Sequence, residues 1–276
     1  MSVGALRAHL VAAGLAGRVA TPREKSLRSY ALFAQRDPRL TLGLDPEGRW
    51  DAAQLLDLMA ERCGVSPDPS LRTGQDTIDP DCTLAALDAF AERLERAAHD
   101  RAPVLFGTCH PDRLLGFYAS LAAALSAAGC PVLTPAYGRC VDVPTQFGVR
   151  RHTLRYVGGV AVVRPGEGGA DGSGGGEGAG GAAHTHSPLP VRAALAAAAE
   201  AGGPFPRLVV GDHGFLCGAG QLGIEAIGPG DSDDPAVFVA EAEGRVAVAV
   251  PVGDAVRSDQ YRPLTRYVLR RAWLAH

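Results

Sequence analysis

From residue 103 onward the chain alternates short apolar runs with helical patterns, and this constrains its fold more than any other feature. PVLFG (103–107) reads as a buried strand, LLGFYASLAAALSAAG (114–129) as a helix stopped by Gly129, and CPVLTPA (130–136) as a second strand. A strand, a tight connection, a helix and a strand normally give two parallel strands and a right-handed crossover. HTLRYVGGVAVVR (152–164) reads as a hairpin turning at Gly158-Gly159. Then come a helix at LPVRAALAAAAEAGG (189–203) and strands at RLVVG (207–211), IEAIG (224–228) and RVAVAVPV (245–252). Helices over FLCGAGQLG (215–223) and from Pro235 separate these strands, and RPLTRYVLRRAWLAH (262–276) closes the chain as a helix. The expected fold class is α/β: a mostly parallel sheet with helices on both faces.

The first hundred residues read differently. Apolar residues recur at three and four over 51–64 and 83–100, as in amphipathic helices. SVGALRAHLVAAGLAG (2–17) reads as a short helix closed by Gly17, and TPREKSLRSYALFAQRD (21–37) as a helix opened by Thr21-Pro22. No convincing strand precedes residue 103. The expected organisation is a helical region over 1–100 packed on an α/β domain over 101–276. The tract GEGGADGSGGGEGAGGA (166–182) reads as a flexible insertion, a disordered surface loop or a lid hinge.

Three strand-like runs end abruptly in polar residues: VLFG runs into TCHPDR, LVVG into DHG, and IEAIG into GDSDDP. In open parallel sheets, ligands bind outside the carboxyl ends of the strands. All three knots therefore fall on one edge, where a site can form. Thr108, His110 and Arg113 suit a phosphate at a helix N-terminus, with His110 as proton donor to a leaving oxygen. The same stretch serves equally as a helix cap. His184 and His186, in HTHS, are spaced to share one metal from an extended segment, or else belong to a solvated loop. Asp212 follows a buried strand directly, is poorly solvated there, and wants a cation, with His213 beside it. Asp231, Asp233 and Asp234 crowd three carboxylates into four residues, which suits Mg²⁺ or Mn²⁺ or simply caps the helix from Pro235. Mixed His and Asp ligands around a phosphate pocket describe metal-assisted hydrolysis.

Composition excludes several classes. A formal charge of −3 gives no general pull toward nucleic acid or anionic membranes. No run reaches the ~18 apolar residues of a membrane span, and the opening MSVGALRAHL has no leader-like core, so a cytoplasmic location is expected. The six cysteines show no CxxC and read as free thiols, which disfavours a zinc ribbon. Among 27 basic residues there is one lysine, Lys25; with Arg23 and Arg28 it lies on a helix able to reach over toward a phosphate. The chain has no GxxxxGK[ST], no GxGxxG in the loop directly following the strand PVLFG (the glycine-rich GAGQLG at 218–223 lies elsewhere) and no GxSxG, which disfavours nucleoside triphosphate hydrolysis, dinucleotide binding and the α/β-hydrolase scheme.

At GTCHPDRLLGFYASLAAAL, HTHSPLPVRAAL and LVVGDHGFLCGAGQLGIEAIG the chain resembles a bacterial family labelled simply phosphatase, whose members share G-T-x-H-P-x-x-L, H-T-H-S-P and G-D-H-G. The resemblance also takes in TPREKSLRSY and the closing RPLTRYVL. VVGDHG followed by GIEAIGPGDSDDPA is similar to the late motifs of haloacid-dehalogenase-like phosphatases. Their nucleophilic D-x-D-x-[TV] is absent here, so an aspartyl-phosphate scheme is not carried across. HTHS is similar to the H-x-H of polymerase-and-histidinol-phosphatase-type hydrolases, but theirs opens the domain and this one comes late.

The expectation is a metal-dependent phosphatase acting on a phosphomonoester of a small metabolite. His184, His186, Asp212 and His213, with Asp231 or Asp233, would hold a divalent ion such as Mg²⁺ or Mn²⁺. His110 and Asp212 would do the chemistry, and Thr108, Arg113, Arg23, Lys25 and Arg28 would hold phosphate. The alternative is a non-catalytic protein that binds a phosphorylated or nucleotide ligand at the same edge.

Overall fold

The structure is a computed structural model and describes residues 2–145, 148–166 and 181–275. The expectation for the glycine tract at 166–182 therefore falls almost wholly outside the described residues.

Helix α1 (Val3–Ala12) leads into strand β1 (Gly17–Pro22), followed by helices α2 (Arg23–Ala34), α3 (Pro38–Thr41) and α4 (Ala52–Cys63). Strand β2 (Gln75–Ile78) pairs antiparallel with β1, and helix α5 (Pro80–His99) follows. This two-stranded sheet corrects the expectation that no strand precedes residue 103. β2 is mostly polar and β1 sets only Val19 and Ala20 between polar and turn-forming residues, so neither carries an apolar run. The side chains of Ser2, Asp37, Asp51 and Asp79 cap α1, α3, α4 and α5, with a full capping box between Asp51 and Gln54.

The second half builds the main sheet from β3 (Val104–Gly107), helix α6 (Pro111–Ala127), the hairpin strands β4 (Cys140–Thr145), β5 (Gly148–Val157) and β6 (Val160–Pro165), and helix α7 (Leu189–Glu200). It continues with β7 (Leu208–Val210), α8 (His213–Gln221), β8 (Ala226–Gly230), α9 (Pro235–Ala242), β9 (Val248–Pro251), a 3₁₀ turn at Ser258–Tyr261 and α10 (Arg262–Arg271). The spatial order is β4-β5-β6-β3-β7-β8-β9. The five strands from β6 to β9 in that order run parallel, and β4 and β5 extend them as an antiparallel edge. The turn at Gly158-Gly159 joins β5 to β6 as the sequence suggests.

CPVLTPA departs from expectation. Val132 makes one parallel bridge to Val104 and goes no further. From Phe106 onward that flank of β3 is occupied by β6, and Pro131 and Pro135 have no N–H to offer a ladder.

Alternate residues of the parallel strands feed two cores. Val104, Phe106, Val210 and Ile227 face a layer that includes α1, α5, α6 and α10, whereas Leu105, Val209 and Ala249 face α4, α7, α8 and α9. With helices packed on both faces, polar side chains gather where the parallel strands end.

Candidate active site

β3 is the switch point of the sheet: the chain leaves it for β6 on one side and later returns to β7 on the other. The loops after β3 and β7 lie side by side there, in the crevice position of open α/β sheets. Asp212, just past β7, is wholly buried and accepts from the Cys109 N–H at 3.1 Å, from His110 Nδ1 at 3.1 Å and from His213 Nδ1 at 3.3 Å. One carboxylate thus fixes two imidazoles through the same ring atom, placing the proton on Nδ1 and turning each Nε2 the other way. Burial opposes a charge on Asp212, yet the bonds from His110 and His213 hold its carboxyl well below the ordinary range.

The two Nε2 atoms meet Asp254, in the loop after β9. Its Oδ2 lies 3.6 Å from His110 Nε2 and 3.7 Å from His213 Nε2, too far for hydrogen bonds. Ligands about 2.1 Å from a tetrahedral ion stand roughly 3.4 Å apart, so this spacing fits donors around a cation. Asp234 Oδ2 lies 3.1 Å from His213 Nε2. Burial alone would lower the His213 imidazole, but Asp234 and Asp212 on either side raise it well above its ordinary value.

His184 and His186 complete the cluster. Their rings lie 4.0 and 5.4 Å from that of His110, and the His186 ring stacks on His213 at 4.5 Å. His110, His184 and His186 bring ligand atoms within 4.8 Å of one another, and so do His110, His213 and Asp254. Both keep an exposed edge, yet partial desolvation within the cluster and the neighbouring imidazoles push His184 down to about 4 and His186 down to about 3, which keeps both neutral at neutral pH.

Local backbone explains why the motifs have these residues. The Thr185 N–H donates to the Cys109 carbonyl, which laces the HTHS segment to the β3 loop. A Cβ on Gly214 would fall 2.2 Å from the His186 carbonyl oxygen, so the glycine of the DHG turn lets that segment pass against α8. His213 itself has φ of +46°, a left-handed conformation unusual for a non-glycine residue and common at functional sites.

The loop after β8 faces the same cluster. The Thr21 hydroxyl donates to Asp231 Oδ2 at 2.6 Å, the Tyr30 hydroxyl to the Ser232 carbonyl at 2.6 Å, and Lys25 Nζ lies 2.7 Å from Asp233 Oδ2. Burial and the neighbouring Asp254 and Asp233 raise Asp231 to about 7. Burial and Asp234 raise Asp233 to about 6 despite Lys25. This loop carries more negative charge than its surroundings neutralise.

The other residues singled out from the sequence are placed as follows. The Thr108 hydroxyl is buried and accepts from the His110 N–H. Arg113 Nη1 donates to the Asp254 carbonyl at 2.9 Å and so holds the β9 loop. Arg23 is wholly buried; it donates to the carbonyls of Ser66, Asp68 and Leu71 and pairs with Asp76, which commits it to the 66–76 segment rather than to the imidazoles. Arg28 is exposed on α2.

Comparison with known proteins decides the family. Residues 1–276 match the family described as Phosphatase. The chain belongs to it. Over 271 residues, 98% of this chain and 95% of the other, it is 42% identical to a protein named Phosphatase SCO2771 from Streptomyces coelicolor. Two acidic residues of the cluster are not singled out by any motif: Asp234 stands in the sequence only within the Asp231–Asp234 crowd, and Asp254 stands alone. The signal for Asp254 was present: it follows the strand pattern RVAVAVPV as closely as Asp212 follows LVV.

Proposed function

We propose that this phosphatase-family protein hydrolyses phosphomonoesters of small metabolites with the help of a divalent metal ion. The carrying observation is the pair of imidazoles that share Asp212 through Nδ1 and converge through Nε2 on Asp254. His110, His213 and Asp254 would hold the ion, joined by His184 and His186 and, from the His213 side, Asp234. Asp212 serves as the partner that sets ring orientation and tautomer, because its oxygens are already engaged by Cys109, His110 and His213. His110 belongs with the ligands on this reading: its Nδ1 is committed, and its Nε2 lies among donor atoms. Four imidazoles suit a transition ion such as Mn²⁺, Co²⁺ or Zn²⁺ better than Mg²⁺, which prefers oxygen and water.

Such an ion, when bound, supplies Lewis acidity and positive charge to offset a phosphate ester. The chain's own residues do the rest. Asp212 keeps a proton on each Nδ1. Arg113 anchors the loop that presents Asp254. Lys25, with its side chain 60% exposed beside Asp233, is the available cation for a phosphoryl oxygen.

The test is metal analysis of the purified protein, then turnover of a panel of phosphomonoesters after chelation and after adding back Mn²⁺, Co²⁺, Zn²⁺ or Mg²⁺. Chelation should abolish hydrolysis, and a transition ion should restore it more fully than Mg²⁺. Full turnover by protein shown to hold no metal would sink the reading. Stoichiometric binding of a phosphorylated compound without hydrolysis under any metal would favour the binding-protein alternative.

A further inference from the structure

We propose that Tyr30 and Thr21 are positioning residues for Asp234: their hydroxyls hold the turn at 231–234 from outside, so that the Asp234 carboxylate faces His213. The inference rests on the reading of His213 and Asp234 as metal ligands.

The turn is closed on itself. The Asp234 N–H donates to the Asp231 carbonyl at 3.0 Å, the Asp231 N–H to Asp234 Oδ2 at 2.9 Å, and the Ser232 N–H to Asp231 Oδ1 at 2.6 Å. These bonds fix its shape and leave its tilt to contacts from outside. The sheet supplies one, from the Val252 N–H to the Gly230 carbonyl at 3.0 Å. The first hundred residues supply hydroxyls. Thr21, at the end of β1, donates to Asp231 Oδ2 at 2.6 Å, and Tyr30, on α2, donates to the Ser232 carbonyl at 2.6 Å. Ser26 Oγ stands 3.4 Å from Ser232 Oγ, one helical turn before Tyr30 on the same face of α2.

Thr21, Tyr30, Asp231 and Ser232 are all buried. A buried backbone carbonyl needs a donor, and that of Ser232 finds one 202 residues away in the chain. The Tyr30 ring packs in the apolar layer with Phe33, Leu55 and Phe238, where phenylalanine would pack too. Its hydroxyl adds the bond to the turn. Asp234 Oδ2 lies between the Asp231 N–H and His213 Nε2, 3.1 Å away, so any tilt of the turn moves the carboxylate against the imidazole. Binding constellations work only when held to within about 0.5 Å, which makes that tilt matter.

The experiment compares Tyr30→Phe and Thr21→Val with Tyr267→Phe, which loses a 2.6 Å bond to Asp88 on the far layer of helices. Each is titrated with Mn²⁺ by calorimetry well below its melting temperature, and the visible spectrum of its Co²⁺ form is recorded. Losing a direct partner of a metal ligand typically costs 10–100-fold in affinity, so these hydroxyls, one step further out, should each cost about 3–10-fold and shift the Co²⁺ band. Because they act through Asp234, their effect in an Asp234→Asn background should shrink to within about twofold. A merely structural hydroxyl lowers the melting temperature alone, as Tyr267→Phe should, with wild-type affinity and spectrum. If Tyr30→Phe and Thr21→Val bind Mn²⁺ like wild type with the wild-type Co²⁺ spectrum, or lose as much affinity in the Asp234→Asn background, the proposal is overturned. If Tyr30→Phe does not fold, Thr21→Val decides alone. If wild type itself binds neither Mn²⁺ nor Co²⁺, the metal reading fails first and this inference with it.

Discussion

Four of the five helices described over the first hundred residues begin differently from the helices at the strand ends; the exception, α2, follows Pro22 and has no side-chain cap. α1, α3, α4 and α5 start on Ser or Asp residues whose side chains bond the free N–H groups of their own first turn. α6, α8 and α9 start on His110, Asp212 and Asp234, and none of these side chains caps its helix. Asp is among the best capping residues, so at Asp212 and Asp234 a favourable local bond has been given up. Asp212 turns to His110, His213 and Cys109, and Asp234 to His213 and the Asp231 N–H. Sequence alone leaves capping and chemistry as equal readings of such residues. In the structure the carboxylates that could cap are bonded to imidazoles and to N–H groups outside their own helices instead.

The sharpest way to break this comparison is to make the same substitution in both classes. Asparagine caps nearly as well as aspartate, so Asp51→Asn should shift stability by no more than a few tenths of a kcal/mol and leave activity alone. Asp212→Asn should reduce metal affinity and turnover by at least about 100-fold while circular dichroism shows the fold intact. Both Nδ1 atoms bond Oδ2, so an asparagine oxygen in that place still accepts from both, but its NH₂ group then faces the Cys109 N–H and the negative charge that supports the ligand imidazoles is gone. Equal turnover in both variants would return Asp212 to the class of ordinary caps.

Glycines offer a second contrast. Gly116, inside α6, has nothing within 4 Å of where a Cβ would stand, so Gly116→Ala should stabilise by about 0.5–1 kcal/mol as in any exposed helix. Gly214, in the first turn of α8, has the His186 carbonyl 2.2 Å from that point. Gly214→Ala should therefore destabilise by roughly 1–3 kcal/mol and push the HTHS segment off the site. Thermal melts give the first effect and metal titration the second. A Gly214→Ala protein more stable than wild type would show that the 184–187 segment is not held against α8.

These contrasts also show what the sequence could reveal. A polar residue that halts an apolar run is visible without coordinates, so His110, Asp212, His213, Asp231 and Asp233 were all legible as a group on one edge. Which atom bonds which was not, because His110 and Asp212 lie 102 residues apart and meet only through the strand order around β3. Asp254 stands two residues beyond its strand pattern RVAVAVPV, just as Asp212 stands beyond LVV, but without a neighbouring His or Asp it forms no polar cluster to draw the eye. Arg23 looked like a phosphate ligand from its place beside Lys25, but a helix turns successive residues by 100°, and Arg23 points into the protein while Lys25 points out. β1 and β2 are hidden because a lone pair of short strands, GRVATP and QDTI, has no apolar run to betray it.

The pH dependence of the metal-free protein sharpens the comparison between the β7 and β8 loops. Asp231 and Asp233 have folded pKa values raised to about 7 and about 6. Their protonated forms favour folding: the contribution is full below the unfolded value near 3.8 and is lost as pH rises through 6–7. His213, raised as well, contributes below its unfolded value and fades as pH climbs through its folded one. Asp212 and Asp234 are lowered, so their contribution is present above the unfolded value and is lost only as pH falls through the folded one. The metal-free melting temperature should thus decline between pH 5 and 8. Asp231→Asn should flatten that decline, and Mn²⁺ should reverse it by neutralising the loop. A metal-free melting temperature that rises steadily to pH 8 would contradict the crowding of these carboxylates.

The smallest effect is expected at Lys25, where two roles must be told apart. Its Nζ lies 2.7 Å from Asp233 Oδ2, but the side chain is 60% exposed, and ion pairs of that kind contribute about 0–1 kcal/mol once solvent screens them. Lys25→Ala should therefore leave the melting temperature within a degree or two. If the ammonium also meets a phosphoryl oxygen, KM should rise by about 3–10-fold, in line with a partly exposed charge-assisted hydrogen bond, while kcat stays within about twofold. That rise should shrink as salt is added, because an ionic contact at the surface is screened over about 8–10 Å. Lys25→Arg keeps the charge but changes its shape and hydration, and should recover part of the loss. The alternative is that Lys25 serves only to hold Asp233 in place. Asp233 would then lose its cation and its pKa would rise further, so kcat should fall as pH is lowered from 8 to 6 while KM stays constant. A change confined to KM assigns Lys25 to the substrate, and a change confined to kcat assigns it to the carboxylate loop.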